Sequence, residues 1–455
     1  MANKTNKLLK QAEKYYAAGD LPLARQYCEK ILSREPDNLE AMNNLGVILY
    51  QEGYLEEAVE HLQAVLNYDD KNEDALANLA MIAALLKERS VETNVSDRCL
   101  NVGFVSIWFE RGQSYVTKMI RDAIAVKHKT FIFARTGGVF NQAMLETTGQ
   151  WDVPNLTVWH RYDIPGPEII RWIKENRLHA VILNEEYDWE LVKAVKSTGI
   201  KVMTYLDYYK DDWKKNMGLY DAVLCSTRRT YNLVREMCRA HYMGWGVDTE
   251  LFHPTEQKPE FTFFHNAGWL GINFRKMTPA AIAAFDAISK VMPEVNMLIH
   301  SQAQLDLLPP AIVDIVRNNR QIVFHEETLP APGLYHKGKI MVFPTKLEGL
   351  GLPLFEALSC GLPVIATNAP PMSEFIRDGY NGALVDVAFR TTRDDNVAFP
   401  EEIVDMTDLA IKMAKMAHDE NMLHTLSQNA RIYAEEQLAF PLLTERILNI
   451  VEKVA

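Results

Sequence analysis

"FPTKLEGLGLPLFEALSCGLPVIATNAPPMSEFI", residues 343–376, reads as a strand, a glycine-rich turn, a helix and a second strand, with one glutamate on either side of the turn. Gly349 and Gly351 permit a tight backbone turn, Pro353 suits the opening of a helix, and Gly361 ends that helix as a C-cap. A helix N-terminus fronted by glycines favours a phosphate, because its free amides and the helix dipole both attract negative charge. Glu356, one turn inside, can accept hydrogen bonds from a diol beside that phosphate, and Glu348 can do the same for a second polyol. Carboxylates bracketing a phosphate site outline a nucleoside diphosphate joined to a sugar. Two glutamates at this spacing would by themselves fit a solvated surface equally well, so the weight lies in the strand, Gly-Leu-Gly, helix, Cys-Gly, strand context.

Outward from this stretch, short apolar runs alternate with helical segments. After residue 260 come "EFTFFHNAG", "PAAIAAFDAISKV", "NMLIHS", "QIVFHEE", "KIMVFP" and "LPVIAT"; before it come "LNVGFVSIWF", "YVTKMIRDAIA", "KTFIFA", "EIIRWIKENR", "HAVILNEE", "LVKAVKSTG", "KVMTYLD" and "DAVLCST". Such alternation predicts parallel sheets covered on both faces, here two α/β halves in tandem. Ligands of open parallel sheets sit at the carboxyl ends of the strands, so a cleft between the halves is the expected site.

Residues 344–385 resemble the donor-site motif of the retaining glycosyltransferases of family 4, including the later "EFIRDGYNGALV". "GWGVDTELFHP", residues 244–254, is similar to that family's interdomain connector, and "FTFFHNAGWLGINFRKMTPAAIAAF" to the strand, glycine loop and helix opening its second half. The resemblance implies a GT-B fold, a donor sugar nucleotide (UDP- or another base) in the C-terminal half and an acceptor in the N-terminal half. It also implies a hexosyl- or N-acetylhexosaminyltransferase that retains the anomeric configuration and needs no metal or other cofactor.

A departing diphosphate gains negative charge, so metal-free transfer needs cations and amides aimed at it. Arg275 and Lys276, after the loop "NAGWLGINF", are the candidates; a solvated basic pair is disfavoured there because cations oppose the dipole at a helix start. The family often has an arginine directly after the loop glycine, where this chain has Trp269, so that role is assigned to Arg275. Asp207 follows "KVMTYL" where the family often carries a histidine or acid; a helix or turn cap is the alternative. The candidate catalytic set is therefore Glu348, Asp207, Lys276 and Arg275. The donor-binding set is Glu356, Gly349, Leu350, Gly351, Leu352, Gly268 and Gly112, the last standing where the family has a glycine pair. Glu185 and Glu186 in "NEEYDW" read as surface charge, and some of the eight tryptophans, all between residues 108 and 269, are expected to line the cleft. No metal-ligating spacing, serine-nucleophile context or P-loop is found.

The first 90 residues differ in kind. An offset of 34 pairs Gly19 with Gly53, Ala24 with Ala58, Asn38 with Asn72, Ala41 with Ala75 and Leu45 with Leu79. These segments resemble tetratricopeptide repeats, with Gly19, Ala24 and Pro36 at the family's turn, packing and break positions and a last helix from about Glu73 to Leu86. Such a stack serves either as a packing appendage or as a protein-docking groove. Ten acidic residues against one lysine between Asp37 and Asp74 favour a basic or neutral peptide over an acidic one.

At 455 residues the chain exceeds one hydrophobic core, and the expected division is repeats over 1–90, a polar linker over 91–98, a Rossmann-like acceptor domain over 99–250, a Rossmann-like donor domain over 251–430, and a C-terminal helix over 431–455 crossing back to the acceptor domain. A net charge of −12 gives no general pull toward nucleic acid or anionic lipid. Five scattered cysteines indicate neither disulfides nor zinc, and with no signal peptide and no membrane-length apolar run they suggest a cytoplasmic protein. The expected function is sugar transfer to a protein acceptor, the repeats recruiting acceptor or partner. Extension of a lipid-linked or surface glycan is the rival within the enzyme class. An inactive sugar-nucleotide-binding scaffold is the rival outside it, and the presence of Glu348, Arg275, Lys276 and Glu356 speaks against that one.

Overall fold

The computed structural model describes residues 2–32, 35, 38–51, 55–69, 71–91, 99–136, 145–268, 272, 274–393 and 397–455. The chain divides into two compact units, Met1–Ser96 and Asp97–Ala455.

The first unit consists of helices α1 (Ala2–Ala17), α2 (Leu21–Leu32), α3 (Leu39–Gln51), α4 (Leu55–Tyr68) and α5 (Glu73–Val91). The sequence repeat has a physical basis here. Asn38 and Asn72 accept the backbone N–H of Ala41 and Ala75 at 2.9 and 3.0 Å, so each caps the first helix of its repeat. Ala24 and Ala58 are fully buried where neighbouring helices cross. Gly53 and Pro36 lie outside the described residues. The last helix runs to Val91, past the Leu86 end read from the polar sequence, because "KERSV" carries no breaker; 92–98 of the expected linker lie outside the described residues.

The second unit contains two parallel sheets. The first has seven strands: β1 (Asn101–Ile107), β2 (Lys129–Arg135), β3 (Leu156–Trp159), β4 (Ala180–Asn184), β5 (Lys201–Tyr205), β6 (Ala222–Cys225) and β7 (Ala240–Tyr242), in the order β3-β2-β1-β4-β5-β6-β7. The second has six: β8 (Phe261–Gly268), β9 (Met297–Ser301), β10 (Ile322–Glu326), β11 (Gly338–Phe343), β12 (Val364–Thr367) and β13 (Gly382–Val385), in the order β10-β9-β8-β11-β12-β13. Both orders reverse direction beside the first strand of the half, the arrangement that opens a ligand crevice at the strands' carboxyl ends. The central strands are buried along nearly their whole length, which explains their unbroken apolar runs. β3, β7 and an antiparallel hairpin, β14 (Val387–Thr391) with β15 (Glu401–Val404), are elements the sequence did not announce.

Helices α6 (Gly112–Ala125), α7 (Gly166–Glu175), α8 (Trp189–Lys196) and α9 (Arg228–Val234) connect the first sheet. In the second half the helices are α10 (Thr278–Ser289), α11 (Pro310–Asn318), α12 (Leu352–Ser359), the single turn α13 (Met372–Phe375), α14 (Met406–His418) and α15 (Glu420–Gln437). A last helix, α16 (Phe440–Val454), returns to the first half and packs on α6 through Leu443, Ile447 and Val451, all fully buried. At its end Lys127 Nζ meets Glu452 at 2.7 Å. The connector and the return segment are also paired, Val247 N–H donating to Leu438 and Phe440 N–H to Val247. No helix among the described residues is long and apolar enough to cross a membrane.

Candidate active site

A cleft of about 660 Å³ lies at the carboxyl ends of the two sheets. Its walls include all eleven residues singled out in the sequence: Glu348, Asp207, Lys276, Arg275, Glu356, Gly349, Leu350, Gly351, Leu352, Gly268 and Gly112.

The turn at residues 348–353 is built as its glycines and proline require. Gly351 adopts φ +88°, a left-handed conformation, immediately before α12, and Pro353 sits in the helix's first turn. Gly112 opens α6 on the opposite wall, where the nearest neighbour to a Cβ added to it would be Leu352 Cδ1 at 3.9 Å. The N-termini of α6 and α12 therefore face each other across the cleft. Arg111, the residue before α6, forms no side-chain cap.

Glu348 is 3% exposed and sits in a cationic cradle. Its Oε1 meets Lys276 Nζ at 2.6 Å and accepts the Thr345 hydroxyl at 3.0 Å, while Oε2 meets the Arg275 guanidinium at 3.2 Å. Burial pushes its carboxyl upward, but Arg275 and Lys276 outweigh burial and hold it below the usual range. Arg275 also donates to the Tyr208 hydroxyl at 2.8 Å, and its pKa is raised, chiefly by Glu348. Lys276, 5% exposed, is shifted downward by burial against the pull of Glu348. Lys276 and Glu348 thus form a buried ion pair, which Arg275, its side chain 37% exposed, joins from the cleft side.

Glu356 projects from α12 and accepts the hydroxyl of Tyr335. Burial raises its pKa. Gly268 takes φ +65° where β8 ends, and its carbonyl accepts the Gln302 N–H at 2.9 Å.

From the first half, Asp207 Oδ1 accepts the hydroxyls of Tyr205 and, at 2.8 Å, Ser226. It is not the cap of the 3-10 helix that follows, Asp211–Leu219, whose N-cap position is Lys210. Beside it Glu185 holds φ +50° and accepts the N–H groups of Asp207 and Tyr208, both at 3.0 Å. Burial raises Asp207 to about 6, and burial with the neighbouring Asp207 raises Glu185 to about 7.

The surface-charge reading of residues 185 and 186 is corrected by the structure. Glu185 faces the cleft, and Glu186, 4% exposed, is ion-paired with buried Arg135 at 2.7 Å. Both follow the end of β4, where Glu185 turns to the cleft and Glu186 turns inward to Arg135, neither outward to solvent. Among the tryptophans, Trp108, Trp151, Trp172 and Trp213 are core residues, Trp245 is buried and borders the cleft, and Trp269 lies outside the described residues. Tyr208, Tyr335 and Arg229 were missed: each meets its partner through the fold, with no spacing rule to flag it. Among the described residues no group of three or more His, Cys, Asp or Glu is arranged to hold a metal.

Comparison with known proteins bears on this geometry. Residues 269–406 match the glycosyl transferases group 1 family. That span contains Arg275, Lys276, Glu348 and Glu356, and residues 15–85 match the tetratricopeptide repeat. An uncharacterised glycosyltransferase of Methanocaldococcus jannaschii is 28% identical over 100 residues, which are 22% of this chain and 24% of the relative. The chain thus spans about a quarter of that curated relative's length. The pneumococcal O-GlcNAc transferase GtfA in complex with UDP and GlcNAc superposes with TM-score 0.62 at 13% identity, covering 78% of this chain and 99% of that one. The O-GlcNAc transferase of Thermobaculum terrenum, in its K341M mutant, superposes with TM-score 0.52 at 13% identity, covering 100% of this chain and 97% of the other. The fold is GT-B, preceded by helical repeats.

Proposed function

We propose that this chain is a retaining glycosyltransferase that moves a sugar from a nucleoside diphosphate to a hydroxyl of a protein acceptor. The observation that carries the reading is the Glu348–Lys276–Arg275 cluster set beside the N-terminus of α12 with Glu356 one turn inside. In this reading Lys276 and Arg275 meet the diphosphate with the first amides of α12. Their charge is worth most as the leaving group becomes more negative, so they stabilise the transition state more than the ground state. Glu348 keeps buried Lys276 protonated and presents an acceptor edge to the sugar. Glu356, with Tyr335 fixing one of its oxygens, takes the ribose diol. Asp207 and Glu185 close the sugar side of the cleft from the acceptor half. Two cations at the leaving group make a divalent metal unnecessary in this scheme, and a chelator should leave turnover intact.

The tetratricopeptide match supports protein recruitment by residues 15–85, and the UDP and GlcNAc bound in the pneumococcal transferase that shares the fold support a UDP-sugar donor. The test is release of nucleoside diphosphate from a panel of sugar nucleotides, with water and then with candidate acceptor proteins. Release that needs an acceptor protein supports the full reading. Release unaffected by any protein but stimulated by a lipid-linked glycan would redirect the acceptor assignment.

A further inference from the structure

Arg229, in the first turn of α9, belongs to the acceptor half, yet its polar contacts are with the donor half. One guanidinium nitrogen donates to the carbonyl oxygens of Glu348 and Gly349, the latter at 3.3 Å. Another donates to the carbonyl of Pro370 at 3.0 Å. The Phe399 ring stacks on the guanidinium at 3.8 Å. Glu374, also in the donor half, accepts the backbone N–H of Arg228 at 2.7 Å and of Arg229 at 2.9 Å, which fixes the start of α9 against α13. The segment before β15, which carries Phe399, crosses the same way, Ala398 N–H donating to the Tyr209 carbonyl at 2.9 Å.

Glu348 is consequently held from two directions. Its carboxylate is fixed within the donor half by Lys276, Arg275 and Thr345, while its carbonyl is gripped from the acceptor half by Arg229. We propose that Arg229 is a positioning residue that couples closure of the two halves to the geometry of the Glu348 turn. The inference rests on the glycosyltransferase reading for its catalytic consequence, but its structural claim stands apart from it. Arginine suits the task because its rigid fork holds two separated nitrogens toward different carbonyls while its flat face stacks on Phe399, whereas an ammonium is a single compact point of charge.

The expectation for Arg229→Ala is a selective loss. Nucleoside diphosphate contacts lie in the donor half, so calorimetric affinity for the free nucleoside diphosphate should stay within about threefold, whereas kcat should fall by about 100-fold, the cost of a catalytic group held loosely. Arg229→Lys should fall between. Amide hydrogen exchange across residues 347–351 should quicken in Arg229→Ala while that of β8 and β9 stays at the wild-type rate. Wild-type kcat in Arg229→Ala, or exchange unchanged in the turn, overturns the proposal. Parallel loss of melting temperature, affinity and kcat in both variants also overturns it, since that pattern marks a merely structural residue. If the wild-type protein turns over no sugar nucleotide, the glycosyltransferase reading has failed by that result alone, and the exchange measurement still decides the role of Arg229.

Discussion

Gly349 lies against Asp207 so closely that a Cβ added to the glycine would stand 2.7 Å from the Cβ of the aspartate. A residue of the donor turn and a residue at the end of an acceptor-half strand therefore share one packing site. The sequence explains Gly349 by the tight turn it permits; the structure adds a steric reason from across the cleft. Gly349→Ala is expected to destabilise by about 1–3 kcal/mol, the usual cost of overpacking. Adding Asp207→Gly, which removes that Cβ, should recover part of that loss. Urea midpoints of the two single variants and the double give the coupling, and strictly additive effects would show that the two residues do not share space.

Glu356→Ala removes the one carboxylate of α12 that faces the cleft, and in the proposed scheme a ribose diol loses its charged acceptor. Binding of a nucleoside diphosphate should weaken by about 1.5–3 kcal/mol with the fold intact. Tyr335→Phe should cost less, because it frees one oxygen of Glu356 without removing it. Equal calorimetric affinities for wild type and Glu356→Ala would remove the ribose assignment.

Lys276→Ala should lower kcat more than it raises KM. A single well-placed electrostatic contact to a developing charge is typically worth about 10²-fold. The same change leaves Glu348 buried with one cation fewer, so a drop in melting temperature is expected alongside. Steady-state kinetics separate the two effects, and unchanged kcat would assign Lys276 to the cluster's structure alone.

The carboxyl pair at the ends of β4 and β5 gives a pH signature. Asp207 at about 6 and Glu185 at about 7 lie above ordinary unfolded values of about 3.9 and 4.3, so the folded state binds protons more tightly across that interval. Their contribution to stability is present at low pH and is lost as pH rises from about 4 through 7. Glu185→Gln keeps an oxygen able to accept from Asp207 and Tyr208 but cannot ionise. It should melt with wild type at pH 4.5 and above wild type at pH 8. A constant difference across the range would contradict the raised values.

Much of this was legible in advance because burial writes itself into periodicity. The central strands of both sheets are predominantly apolar, and the turn at 348–353 carries glycine, proline and glutamate in an order few structures other than a strand, turn and helix would tolerate. β3 and β7 left little signal, being short and only half-buried. The misread Glu186 shows the deeper limit, since its partner Arg135 stands on another strand and nothing nearby in the chain announces the pairing. Arg229 is the extreme case, reaching carbonyls 119 and 120 residues away. Periodicity reports which faces are buried, whereas the meeting of two polar groups depends on the path of the whole chain.

The central claim, retaining transfer from a nucleotide sugar at the Glu348–Lys276–Arg275 cluster, is tested most directly by following sugar nucleotides with the full-length protein by proton NMR. The anomeric resonance of at least one donor should decay with wild type, yield a first-formed product of the same anomeric configuration, and persist with Lys276→Ala. A donor resonance that persists with wild type across the whole panel would contradict the activity, and a first-formed product of inverted configuration would contradict the mechanism.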